Sequence, residues 1–266
     1  SMDIEYYMVR VFTPLFYTIE FLLIIIVFIS VTILYTKNKD KQSLKVFLVS
    51  GIAITLTELF LQGIGTRVVK NAYLFSIPIG FPLTCLLMGF FDGGIKNLFA
   101  FHMVKSIKER NISSLKISLA LFSMVFIVFA IYNGYTGILN SQGNPNITSS
   151  LRFLFPPSSI FLLILSFTFS FSFFFVNKHI PKEDKAIFFY YSFGLIIFML
   201  SWIITAQIFL TRYIGIESII PAPIRDQMLL MWGYFLLIES VGVSIFIAPI
   251  LYQLNAFRDG QNHQKF

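Results

Sequence analysis

Seven long apolar segments constrain the fold of this 266-residue chain more than any other feature of its sequence. Each could cross a bilayer core as a helix, which takes about 20 residues. Only 12% of the residues are charged and 56% are hydrophobic, which excludes a soluble globular domain and a disordered chain. The segments are 12–35, 45–66, 75–104, 115–139, 151–176, 186–211 and 227–252. We therefore predict an all-α polytopic membrane protein with a single seven-helix transmembrane domain over residues 1–266.

Basic residues are distributed unequally between the two sides of these segments. The first, third and fifth loops and the C-terminal tail carry 13 Lys and Arg, whereas the opposite side carries six. Because cytoplasmic loops hold the excess of positive charge, this distribution predicts the N-terminus outside and the C-terminus inside, in the cell membrane. Membrane orientation also accounts for the net charge of +7. No nucleic-acid partner is expected, since no basic stretch with interleaved aromatic residues lies outside the apolar segments.

The two ends of the chain resemble each other weakly. A shift of 143 residues aligns Gly51 with Gly194, among other positions. The second helix of each half ends in Thr-Arg, and the third carries an acidic residue near its middle. One interpretation is a 3+1+3 parallel repeat of halves 12–104 and 151–252 around a linker helix at 115–139, as in some transporters. Chance similarity in a sequence rich in Phe and Ile is the alternative.

Several ionisable residues lie inside the apolar segments. Such residues cost about 2.5–3.5 kcal/mol at the middle of a membrane helix, usually face the bundle interior and often mark function. They are Glu20, Glu58, Asp92, Lys96 and Glu239. We predict that they line a polar interior.

The spacing of these residues suggests two roles. Asp92 and Lys96 are four apart with the acid first, which favours an ion pair on one helix; this pair could open when a ligand binds. Glu20, Glu58 and Glu239 have no obvious basic partner within the apolar segments. They could line a cavity open to the outside, where they would exchange protons or bind a cation. The alternative for each is a protonated carboxyl group bonded to a neighbouring helix.

Four further residues complete the predicted binding site. The glutamines lie near the outer ends of two helices and could donate hydrogen bonds at the cavity mouth, whereas the tryptophans could flank the cavity. They are Gln62, Gln207, Trp202 and Trp232. Arg67 and Arg212 lie at helix ends, where the expected role of a long basic side chain is to reach the membrane interface. The alternative for both is to bind an anion.

Other common chemistries have no signal in this sequence. There is no HExxH or His-rich motif and no glycine-rich phosphate loop, so we predict neither a metal site nor a cofactor. The single cysteine, Cys85, lies in an apolar segment and is expected to pack there.

Three functions remain open at this stage. The first is a transporter of a small solute, coupled to protons or cations through the buried carboxylates. The second is an intramembrane enzyme acting on a lipid or isoprenoid, with carboxylates as general acid and base. The third is a receptor or accessory membrane protein without turnover. The expected partners are membrane lipids and a small-molecule or lipid ligand.

Overall fold

The computed structural model describes residues 5–216 and 220–257. Within them, six helices are long and apolar enough to cross a membrane. They are Phe16–Asn38, Lys41–Gly63, Ile112–Ser141, Pro157–Val176, Lys182–Ile208 and Ile224–Gln253. The predicted helical membrane fold is confirmed at this level, and the chain has the character of a multi-pass membrane protein.

Helices account for most of the described chain. The α-helices there are α1 (Phe16–Asn38), α2 (Lys41–Gly63), α3 (Leu83–Met88), α4 (Lys96–Lys108), α5 (Ile112–Ser141), α6 (Pro157–Phe171), α7 (Ala186–Ile208), α8 (Ile224–Tyr234) and α9 (Ile247–Gln253). Three π-helical segments, Gly89–Ile95, Ser172–Val176 and Phe235–Val241, and two 3₁₀ segments, Lys182–Asp184 and Gly242–Phe246, extend or join them. We call residues 83–108 the α3–α4 helix and Ile224–Gln253 the α8–α9 helix.

The third predicted segment, 75–104, differs from the structure at its start. Its first residues form a short hairpin, and helix begins at Leu83, directly after Pro82. The α3–α4 helix is continuous, but it is not among the six apolar spans and contains four charged residues in its second half and centre. The structure therefore leaves the α3–α4 helix as the uncounted segment, and the number of seven spans stays a prediction.

Glycines let the π-helical segment Gly89–Ile95 approach α2 closely. A Cβ added at Gly93 would lie 2.6 Å from the carbonyl oxygen of Ser50, and one added at Gly89 would meet the backbone of Thr55. A π-helical turn holds more residues than an α-helical turn and changes the direction of the side chains that follow. The segment therefore positions Asp92 and Lys96 differently from a regular helix.

A five-stranded antiparallel sheet, which the sequence analysis does not predict, covers one end of the bundle. It contains β1 (Tyr6–Phe12), β2 (Arg67–Lys70), β5 (Thr148–Phe153), β6 (Arg212–Ile216) and β7 (Ile220–Pro221), in the order β2-β5-β1-β6-β7. A separate hairpin pairs β3 (Tyr73–Leu74) with β4 (Ile77–Pro78). The predicted fifth helix therefore loses residues 151–156, because the chain is extended there and helix begins at Pro157. We call this end of the molecule the sheet end, and the opposite end, rich in lysine, the lysine end.

The sheet pairs strands from the first half of the chain with strands from the second half. Strands β1 and β2 flank the first two helices of the first half, and β5 and β6 flank the corresponding helices of the second. β1 pairs with β5 at the centre, while β2 pairs with β5 and β6 pairs with β1. Exchanging the two halves leaves the order of these four strands unchanged. Each half therefore completes the sheet of the other.

Candidate functional site

Four arginines, one from each of β2, β5, β1 and β6, lie on one face of the sheet. Arg67 is directly opposite Arg152, and Arg10 is directly opposite Arg212. Residues opposite one another in a ladder share a face, and so do residues two apart on a strand. Arg152 is opposite Met8, two residues from Arg10, which places all four on the same face. Arg10, Arg67 and Arg212 are buried there.

Arg67 and Arg152 enclose the carboxylate of Glu58 from α2. Arg67 Nη1 donates to Glu58 Oε2 at 2.7 Å, and Arg152 Nη2 lies 3.9 Å from Oε1. Arg152 also donates from Nη1 to the hydroxyl of Tyr234 at 3.0 Å. Two guanidinium groups therefore share one carboxylate, which leaves this group of charges one positive charge in excess when all are ionised. We call it the Glu58 clamp.

Arg10 and Arg212 enclose Glu239 in the same way. Arg10 Nη1 lies 3.3 Å from Oε1, and Arg212 Nη2 donates to Oε2. Glu239 belongs to the π-helical segment Phe235–Val241, whose backbone also accepts a hydrogen bond at Glu239 O from Lys96 Nζ at 3.3 Å. This Glu239 clamp joins the sheet to the α8–α9 helix and the α3–α4 helix.

The predicted ion pair between Asp92 and Lys96 is not formed in the described part of the chain. Lys96 is buried and its ammonium group donates to Glu239 instead, while Asp92 is half-buried beside the same cavity. The physical reason is the π-helical winding of Gly89–Ile95, because four residues then no longer complete a turn. The residues that form buried ion pairs here are the four arginines.

Cations outnumber acids in this cluster. Four arginines and Lys96 face Glu20, Glu58, Asp92 and Glu239. Among the described residues, several of their buried polar atoms have no hydrogen-bond partner. They are Arg10 Nη2, Arg67 Nε, Arg212 Nη1 and Glu20 Oε2. Unsatisfied buried charged groups are costly, so the cluster favours an additional polar group that would bond to them.

The arginines affect one another electrostatically. Burial lowers the pKa of the Arg212 guanidinium well below its ordinary value, and the charges of Arg10 and Arg152 lower it further. Burial likewise lowers the pKa of Arg10, again with a contribution from Arg152. An anion placed among these groups would offset both effects, because opposite charge nearby favours the charged form.

Two cavities are lined by both acidic and basic residues of the cluster. The larger, about 80 Å³, is lined by the Glu58 clamp, Asp92, Lys96, Tyr234 and Glu239, together with apolar residues of α2 and α6. The smaller, about 20 Å³, lies beside Glu20 and Arg10. It has aromatic walls that include Trp202, whose ring lies 4.4 Å from that of Phe129 and whose Nε1 has no partner in the described chain. The larger cavity has room for a small polar group and the smaller one for a water molecule.

The structure brings together six of the nine predicted site residues: Glu20, Glu58, Asp92, Lys96, Trp202 and Glu239. Gln62 lies at the border, accepting from the hydroxyl of Thr84 at 3.2 Å. Gln207 lines neither cavity. Trp232 is 42% exposed and packs edge-to-face on Phe235. The π-helical segment that follows changes the direction of the later side chains, so Trp232 and Glu239 do not share one face of the helix. Neither Gln207 nor Trp232 therefore contributes to the cluster.

Sequence reasoning gave Arg10 and Arg152 no role, and it preferred an interfacial position for Arg67 and Arg212, which is wrong. Both are at most 3% exposed and point into the bundle. One signal was present. Five of the six basic residues predicted on the outer side are arginine, whereas 11 of the 13 on the other side are lysine. Arginine suits buried, multiply bonded ion pairs better than lysine does, so this division pointed to a buried role.

Comparison of the chain with models of known protein families, with curated proteins and with solved structures finds no match. Within the described residues, no group of His, Cys, Asp and Glu side chains is arranged to hold a metal ion.

Proposed function

We propose that the chain is a membrane transporter of a small solute, which binds in the larger cavity beside the Glu58 clamp. The observation that carries this proposal is the enclosure of two carboxylates by four arginines, three of them buried, with guanidinium nitrogens that have no partner among the described residues. Ionisable groups at membrane depth commonly belong to solute and proton pathways. The excess of cations favours a solute that carries an anionic group.

The proposed transporter has seven spans with its sheet end outside the cell. The α3–α4 helix would be the seventh span, since it packs against α2, α5 and α7 within the bundle. Four of the six basic residues at the sheet end are held in the two clamps, which leaves Lys70 and Arg225 exposed there. The lysine end therefore keeps most of the exposed positive charge, in agreement with the positive-inside rule.

We further propose that the two halves are parallel repeats around α5. Support comes from the strand order, from the Arg10–Arg212 and Arg67–Arg152 pairs, and from a π-helical segment with an acidic residue in the last helix of each half. Parallel repeats in transporters are related by an axis along the membrane normal, with the solute bound between them. In this chain such an axis would pass between β1 and β5, above the cluster.

The carboxylates would couple solute binding to protons. In this mechanism, an anionic solute competes with Glu58 for Arg67 and Arg152. A carboxylate that loses its counter-charge in apolar surroundings binds a proton rather than remain charged. Glu58 and Glu239 thus replace the Asp92–Lys96 pair as the groups that rearrange.

The test starts from the purified protein in detergent. Its melting temperature is measured against pH and a panel of metabolites and lipids, for wild type, Glu58→Gln, Glu239→Gln and the exposed control Glu183→Gln. A ligand that binds only the folded state raises the melting temperature. Stabilising solutes are then tested for uptake into proteoliposomes under a pH gradient. We expect gradient-dependent uptake that Glu183→Gln retains and Glu58→Gln loses. Binding without uptake by any stabilising solute would exclude transport.

A second candidate is an intramembrane enzyme acting on a lipid or isoprenoid. The observation that favours it is that three carboxylates, Glu58, Asp92 and Glu239, line one cavity, where they could act as general acid and base. Mass analysis of lipid pools incubated with the protein distinguishes the two functions. A chemically altered lipid that depends on Glu58 would favour the enzyme, and unaltered pools would favour the transporter.

A further inference from the structure

The larger cavity has an apolar wall on the side where α2 and α6 face each other. Ile54 and Leu61 of α2 and Leu162 and Leu163 of α6 line it, with Ser159 near the start of α6. In the described structure α6 packs mainly on the 3₁₀ segment Gly242–Phe246 rather than on α2. The two helices therefore border the cavity without closing it by direct packing.

The helix α6 exposes an unusually large part of its surface. Only 17% of the residues in its apolar window are buried, compared with 56% for the span that contains α7. In a membrane protein, such a surface is in contact with lipid chains. The cavity beside the Glu58 clamp is therefore lined in part by a helix whose surface is mostly exposed.

The polar end of this space carries positive charge. Arg67 Nε is buried without a partner in the described residues. Arg152 Nη2 lies 3.9 Å from Glu58 Oε1, which is longer than a hydrogen bond. Within the described part of the chain, Lys96 Nζ donates one hydrogen bond, to a carbonyl oxygen, although an ammonium group has three donors. These three side chains line the same cavity. Guanidinium and ammonium groups form strong, charge-assisted hydrogen bonds with oxyanions.

We propose that the ligand of this cavity is an anionic amphiphile, which places a phosphate or carboxylate head on Arg67, Arg152 and Lys96 and an apolar tail between α2 and α6. This inference rests on the binding site of the proposed function and specifies its ligand class. Charge complementarity identifies the head, and the apolar wall formed by α2 and the largely exposed helix α6 identifies the tail. A fully hydrophilic anion would leave that wall without a partner.

The experiment measures ligand-dependent melting temperature and affinity in detergent with three probes: dioctanoyl phosphatidic acid, dioctanoyl phosphatidylcholine and inorganic phosphate. Arg152→Gln removes the excess charge but leaves Glu58 paired with Arg67. Its control is Arg225→Gln, which removes the same charge from an exposed side chain. Ser159→Trp fills the space between α2 and α6, and its control is the neighbouring exposed Ile160→Trp.

We expect phosphatidic acid to stabilise wild type and both controls, and phosphatidylcholine to have little effect. Loss of a hydrogen bond to a charged group predicts affinity for phosphatidic acid at least about tenfold weaker in Arg152→Gln. Ser159→Trp should also lose this affinity. Equal binding of phosphatidic acid by Ser159→Trp and Ile160→Trp would overturn the proposed tail position. Stabilisation by inorganic phosphate alone would overturn the amphiphile and identify a soluble anion.

The two proposals can fail separately. If phosphatidic acid binds as described but is not moved across proteoliposomes, the ligand class stands and transport does not. If a hydrophilic solute is transported with dependence on Glu58 while Ser159→Trp is fully active, transport stands and the amphiphile is excluded.

Discussion

Arg212 of β6 donates a hydrogen bond to Glu239 of the α8–α9 helix from a position where only 1% of the Arg212 side chain is exposed. The sheet is therefore tied to the bundle through charges that have lost nearly all contact with solvent. The removal of two charges from water costs several kcal/mol per ion, which their attraction repays only when other hydrogen bonds support them. Here Arg10 on the opposite strand and Lys96 on the α3–α4 helix provide that support.

Arg212→Gln should destabilise the protein strongly. Among the described residues, the carboxylate of Glu239 would then be paired with Arg10 alone. Breaking a buried ion pair by removing one member typically costs about 3–5 kcal/mol. The measurement is the melting temperature in detergent, beside the exposed control Arg225→Gln, which should match wild type. The double variant Arg212→Gln/Glu239→Gln should recover part of the loss. An Arg212→Gln variant as stable as its control would show that the pair is not structurally important.

Close packing of α2 against the α3–α4 helix leads to a second prediction. A methyl group at Gly89 would meet the backbone nitrogen of Thr55 at 2.6 Å, whereas nothing lies within 4 Å of one added at Gly233 in α8. Gly89→Ala should therefore lower the melting temperature, since overpacking costs about 1–3 kcal/mol. Gly233→Ala should leave it unchanged or raise it, because Ala favours helix over Gly. Thermal unfolding of both variants under one condition decides between these outcomes.

The sequence was sufficient to predict six helices of membrane-spanning length and the carboxylates inside the apolar segments, because twenty-residue apolar runs and the acids within them are local features. It was not sufficient to predict the sheet. The strand β2, for example, has four residues, and its partner β5 begins 78 residues later in the chain than Lys70. Pairing at such separation leaves no periodicity that a single sequence can reveal. Without the sheet, Arg10 and Arg152 could not be placed opposite their partners.

The sequence also did not predict which residues share a face in two of the helices. Regular α-helical spacing would place Trp232 and Glu239 on one face of a helix, and it would allow an ion pair between Asp92 and Lys96. Both expectations fail where π-helical segments intervene, in Phe235–Val241 and Gly89–Ile95. A π-helical turn depends on packing with neighbouring helices, such as that of Gly93 on Ser50. That contact is known only once the tertiary structure is known.

A buried amide supports the position of Arg212. Asn133 of α5 donates to Thr205 Oγ1 at 2.9 Å and accepts from Thr211 Oγ1 at 2.8 Å, directly before Arg212. Asn133→Leu leaves both hydroxyl groups without this partner, which should cost about 1–3 kcal/mol. The control is Asn140→Leu, on an exposed position of the same helix. A ligand that stabilises wild type should also bind Asn133→Leu more weakly, and equal stability of the two variants would contradict the supporting role.

The orientation and the status of the α3–α4 helix can be tested with one pair of cysteines. Ile77 in the β3–β4 hairpin and Ile112 at the start of α5 are 65% and 68% exposed, and they flank this helix at the sheet end and the lysine end. In a Cys85→Ala background, a membrane-impermeant thiol reagent should label Ile77→Cys in intact cells and Ile112→Cys only after permeabilisation. That pattern supports seven spans with the sheet end outside. The reverse pattern would invert the orientation, and labelling of both positions in intact cells would mean that the α3–α4 helix does not cross the membrane.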